Sequence, residues 1–276
     1  MNKILVPTDF SDTAENAVNY AVNMANHFSA NLILLHVNQI PVNTPEFGIA
    51  AYNFSEIKKY SYDTLNEMAI KIKKDYPKIS EIECFSEIGD SSDLIAEFSK
   101  EQLVDMVVMG NSGHGSKLKK NILGSTSVAV AKKIEVPLMI VPPNVKYKKI
   151  TNMAYACVYD EQIEVSSSLI KVRSLSKEFD SLLSVLHVIP ENHRINEKEA
   201  NIDIYVENKL ATIEHRTYIL TDNDVSQGIL DFINNHDVDA IVVEPQKHSL
   251  FHSIFHSSVT NELAFFSPVP VLTIHG

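Results

Sequence analysis

Apolar residues along the first half of the chain fall into two kinds of run. Ile4–Val6, Asn31–Val37, Met106–Met109 and Leu138–Val141 are short and almost continuously apolar. Strands of a parallel sheet read this way, because helices cover both faces. The longer segments between them carry helical spacing. Thr13–Phe28 sets Ala14, Ala17, Val18, Ala21, Val22 and Ala25 on one stripe, with Ser11 or Asp12 as its N-cap. Ser55–Tyr76 has the same period and stops at Pro77, Asp90–Lys100 follows Gly89, and Ser125–Lys133 forms a fourth helix. Strands alternating with helices of this length predict β-α-β units and an α/β fold with a doubly wound sheet.

The pattern returns more faintly. Ile33–Pro41 (ILLHVNQIP) resembles Leu183–Pro190 (LSVLHVIP), and Ile95–Phe98 resembles Ile229–Phe232. Val104-Asp105 resembles Val238-Asp239, and Val136–Ile140 resembles Val269–Thr273. Four matches in one order predict a tandem duplication, with domains 1–146 and 147–276. The seam carries Pro142, Pro143 and the basic stretch KYKK.

A formal net charge of −11 argues against nucleic acid or an anionic membrane as a general partner. No apolar run approaches the roughly 18 residues of a membrane span, and the run of three before Pro7 is too short for a secretory signal. Cys84 and Cys157 stand far apart, as in a chain kept reduced. Together these features predict a cytoplasmic protein.

Four of the eight glycines crowd into Met109–Thr126, MGNSGHGSKLKKNILGST. This segment leaves the carboxyl end of a predicted strand, the edge where open α/β sheets bind ligands. Glycine accepts positive φ and lets backbone N–H groups approach an anion. Gly124-Ser125-Thr126 then opens a helix whose first amides lack intrahelical partners. The chemistry suits phosphate; the alternative is a plain surface turn. A Walker A loop is ruled out because Lys does not follow Gly115 directly, and a dinucleotide fingerprint because Gly113-x-Gly115 lacks its third glycine. Asp9 closes the first strand at the same edge. It either accepts hydrogen bonds from a base or ribose, or caps the following helix.

VPTDFSDTAENA, LLHV, MG-x2-G…GST and VPLMIVPP together resemble the universal stress protein family in its tandem two-domain form, over the first 143 residues. The resemblance implies two tandem flavodoxin-like (Rossmann-like) domains, each a five-stranded parallel sheet with helices on both faces. It also implies an adenine nucleotide, ATP with or without Mg. Pro7, Thr8 and Asp9 would then lie at the adenine, and Val37 near base and ribose. Met109 and Gly110 would lie beneath ribose and phosphates, and Gly113, Gly124, Ser125 and Thr126 would hold the triphosphate. The family spacing is G-x2-G-x9-G-[ST]. Here ten residues, His114–Leu123, separate Gly113 from Gly124, so either Gly113 or Gly115 takes the phosphate position. The resemblance further implies an unnamed protein partner, pairing of the domains through Leu138–Val141 and Val271–Ile274 within one chain, and homodimer formation.

The second half departs from this pattern. Val158 stands where Asp9 does, and Glu244–Thr260 (EPQKHSLFHSIFHSSVT) has no glycine, so this half is expected to bind no nucleotide. His248, His252 and His256 have i, i+4, i+8 spacing and read either as a metal site or as a polar helix face. His36 and His187 read as structural. Lys117, Lys119 and Lys120 either steer phosphate or form a solvated face. The expected function is that of an ATP-binding stress-response regulator with nucleotide in the first domain only. The alternatives are a slow ATPase or phosphotransferase, for which only His114 offers a nearby base, and a nucleotide-free scaffold.

Overall fold

β1 (Lys3–Pro7), β2 (Asn31–Asn38), β3 (Ile82–Ile88), β4 (Met106–Gly110) and β5 (Leu138–Val141) form an all-parallel sheet in the order β3-β2-β1-β4-β5. The computed structural model describes residues 1–39, 53–111, 125–157, 165–191, 197–244 and 257–275. The chain divides into two units, Met1–Tyr147 and Lys148–Gly276. Ile4, Leu5, Leu32–Leu35, Met106–Val108 and Leu138–Met139 are fully buried, as strands covered on both faces require.

Four helices connect the strands of the first unit: α1 (Asp12–Phe28), α2 (Phe54–Asp75), α3 (Ser91–Glu101) and α4 (Ser125–Lys133). Right-handed crossovers place α1 and α2 on one face, and α3 and α4, which pack together, on the other. Ser11 caps α1 by accepting from the Ala14 N–H at 3.3 Å. Asp90 caps α3, accepting from Ser92 N at 2.9 Å and Asp93 N at 3.0 Å. The Ser92 hydroxyl bond and these amides hold the Asp90 carboxyl below the usual carboxylate range. After β5 the chain returns along α1. Asn16 Nδ2 donates to Pro142 O and Val145 O, and Tyr147 packs edge-on against Tyr20 at 5.2 Å. Burial there pushes the Tyr147 hydroxyl up to about 12.

The second unit repeats the order. β6 (Asn152–Ala156), β7 (Leu182–Ile189), β8 (His215–Thr221), β9 (Ala240–Val243) and β10 (Val271–Thr273) run parallel as β10-β9-β6-β7-β8. Their helices are α5 (Val165–Phe179), α6 (Glu197–Leu210), α7 (Val225–Asn235) and α8 (Ser257–Phe266), with α5 packed on α6 and α7 on α8. Its core gathers Leu186, Val188, Ile229, Phe232, Ile241, Leu263 and Val271. Each unit is thus a flavodoxin-like domain with the fold class the sequence predicts. Among the described residues no helix is long and apolar enough to cross a membrane.

One aspartate per unit fastens the amino ends of two central strands. Asp105 Oδ2 accepts from Asn2 N at 2.5 Å and Lys3 N at 3.0 Å, before β1 and β4 run side by side. Asp239 Oδ2 does the same for Thr151 N at 2.7 Å and Asn152 N at 2.9 Å. It also accepts from Thr151 Oγ1, and its Oδ1 meets Lys148 Nζ at 2.6 Å. Asp105 is exposed, whereas Asp239 is 4% exposed.

Neither Cys84 nor Cys157 is in a disulfide. Burial raises the Cys84 thiol on β3 to about 11, which suppresses the thiolate that alkylating reagents attack. Iodoacetamide at pH 8 is therefore expected to label Cys84 at least about tenfold more slowly in the native chain than in urea, as followed by mass spectrometry. Equal rates would mean the thiol is not held in this environment.

Candidate functional site at the carboxyl edge of the first sheet

The strand order changes direction between β1 and β4, and that crevice is where ligands bind on sheets of this kind. Pro7 ends β1 and is buried. Thr8, 5% exposed, donates its N–H to Leu35 O at 2.9 Å and so stays tied to β2. Asp9 emerges from this buried run as an exposed side chain. Its Oδ1 accepts from Ser11 N at 3.1 Å and from Ser11 Oγ at 2.5 Å. Ser11, not Asp9, is the cap of α1. Asp9 orients that cap from outside the helix.

Phe10 has φ 61°, in the left-handed region that a residue with a Cβ seldom occupies. Its N–H donates to Thr8 Oγ1 at 3.1 Å, and its ring stacks on His36 at 4.5 Å and 21°. His36 Nδ1 meets Thr8 O at 2.7 Å. Val37, half-buried, follows on β2.

Across the crevice, Met109 is buried and Gly110 ends β4. A Cβ at Gly110 would lie 2.8 Å from Thr13 O and 2.9 Å from Thr13 Cγ2. Glycine here lets the end of β4 approach the first turn of α1, and with it the Asp9–Ser11 turn. The structure therefore brings Pro7, Thr8, Asp9, Val37, Met109 and Gly110 to one edge on three adjacent strands. Ser125 and Thr126 open α4, with Thr126 half-buried. Gly113, Gly115 and Gly124 lie outside the described residues, as do His114, Lys117, Lys119 and Lys120.

The same edge of the second unit is built differently. Cys157 N donates to Leu186 O at 2.9 Å, as Thr8 N does to Leu35 O. At the end of β9, however, Glu244 occupies the place of Gly110, and its Oε2 accepts from Ser168 Oγ of α5 at 2.7 Å. Val158, His248, His252 and His256 lie outside the described residues. Reading the sequence misses Phe10, His36 and Glu244 as shapers of these edges. The LHV repeat and the Glu at a glycine position were the available signals.

The family profile described as "Universal stress protein family" matches residues 1–142 of the 276. The chain belongs to this family. Among relatives of the universal stress protein family, one from Methanocaldococcus jannaschii is 30% identical over 153 residues, spanning 50% of this chain and 93% of its own. Universal stress protein YxiE of Bacillus subtilis is 31% identical over 150 residues, spanning 51% of this chain and 98% of its own. The crystal structure of a universal stress protein from Archaeoglobus fulgidus covers 99% of this chain and 98% of its own, with a TM-score of 0.75 at 22% identity. That last likeness is one of fold.

Proposed function

We propose that the first unit binds ATP, with or without Mg, at the carboxyl edge of β1 and β4, and that the chain is a nucleotide-dependent regulator in the stress response. The contrast between the ends of β4 and β9 carries this reading. Gly110 allows the backbone to close on Thr13, in the first turn of the helix whose cap, Ser11, is bonded to Asp9. At the equivalent point of the second unit stands the carboxylate of Glu244, bonded to Ser168. A phosphate would meet a like charge there. The second unit is accordingly read as nucleotide-free. In the first, Asp9 supplies an acceptor for the base, and Met109-Gly110 lead into the glycine segment that supplies amides for phosphate. Two thiols outside any disulfide suit residence in the cytoplasm.

Calorimetric titration of the full chain tests the reading. One ATP per chain is expected, with Gly124→Val abolishing the heat and Asp9→Ala weakening it about tenfold, the loss typical of a charge-assisted hydrogen bond. Absence of binding, or two equivalent sites, would overturn it.

A further inference from the structure

We propose that His36 is the positioning residue that aims Asp9 at the base of the nucleotide; this rests on the ATP reading of the same edge. The carbonyl oxygen of Thr8 belongs to the peptide whose nitrogen is that of Asp9. It can only accept a hydrogen bond, so the proton of the 2.7 Å contact resides on His36 Nδ1. On the other side of Asp9, the ring of Phe10 lies flat on the same imidazole. One side chain therefore grips the peptide before Asp9 and the residue after it. The φ of 61° at Phe10 is a conformation an L-residue seldom adopts, and it persists only where surroundings impose it. The stack on His36 and the bond from Phe10 N to Thr8 Oγ1 are what impose it here. His36 itself sits on β2, held between β1 and β3, so the grip is anchored to the rigid part of the sheet. The product is a strained turn that carries an exposed carboxylate beyond a buried run, its oxygen fixed by Ser11.

A carboxylate held in this way favours an amino group over a carbonyl, and thus ATP over ITP. If His36 acts through Asp9, its loss touches recognition of the base and spares the phosphates. In the full chain, His36→Ala is expected to weaken ATP about tenfold while leaving inorganic tripolyphosphate within about twofold, by calorimetry. The preference for ATP over ITP is expected to vanish with it. His36→Asn, which keeps an N–H for Thr8 O, is expected to recover part of the loss. His36→Phe, which keeps the ring stack and the packing, supplies a folded variant lacking only the donor. In the Asp9→Ala background, His36→Ala is expected to add nothing, the non-additivity of two residues acting as one. Equal weakening of ATP and tripolyphosphate, or full additivity with Asp9→Ala, would overturn the positioning role and leave the ATP reading intact. An unaltered chain that binds tripolyphosphate but not ATP would overturn both.

Discussion

Asp239→Ala is expected to destabilise the second unit by about 3 kcal/mol, lowering its melting temperature by roughly 10 °C. The buried carboxylate accepts from Thr151 N, Thr151 Oγ1 and Asn152 N and pairs with Lys148. Removing it takes away the acceptor of two backbone amides and one hydroxyl at the start of β6, and leaves the exposed Lys148 to water. The matching Asp105→Ala in the first unit removes an exposed carboxylate with two amide donors, and is expected to cost about 1 kcal/mol. Thermal unfolding followed by circular dichroism separates the two; equal losses would show that burial does not set the difference. The pH dependence has a definite sign. Burial raises the Asp239 carboxyl, but the Lys148 contact and the bonds from Thr151 and Asn152 outweigh it, and its pKa lies below the ordinary value. A carboxylate with a lowered folded pKa contributes fully above its unfolded value of about 4 and loses that contribution as pH falls through the folded value. The unaltered chain should therefore lose stability on acidification below about pH 4, and Asp239→Asn should flatten that part of the curve.

Gly110→Val is expected to damage both stability and binding. The added Cβ meets a backbone oxygen of Thr13 rather than the tip of a flexible side chain, so α1 must move. Overpacking of this kind costs about 1–3 kcal/mol. Displacing α1 also carries the Ser11 cap away from Asp9, so ATP affinity should fall by more than about tenfold in calorimetry. Urea unfolding measures the first effect independently. A stable Gly110→Val chain with unchanged ATP affinity would show that the close approach is dispensable.

The central strands were legible because burial on both faces writes them as apolar runs. β3 was not among the strands read from the pattern. Its sequence, IECFSEI, alternates, and at the sheet margin only Ser86 is buried. α2 ends at Asp75, one residue before the expected Tyr76, which serves as C-cap with φ −126° and ψ 70°. A residue ahead of proline is pushed out of the helical region, and Pro77 does this to Tyr76. Around the site, the sequence put Asp9 and Gly110 at strand ends, but it did not settle whether Asp9, Ser11 or Asp12 caps α1. The left-handed Phe10 and its stack on His36 depend on two strands lying side by side, which no local pattern records. Glu244 was visible as an acidic residue at a glycine position. That its carboxylate is met by Ser168, 76 residues earlier, belongs to tertiary structure.

Asp105 and Asp239 work at the amino-terminal rim of their sheets, whereas Asp9, Gly110 and Glu244 stand at the opposite rim. Cohesion and the candidate site thereby fall at different ends of the same strands. A domain built this way tolerates wholesale rewriting of the loops at one end while its strands stay clasped at the other. Two halves of one polypeptide can then keep a common scaffold and diverge in what, if anything, they hold.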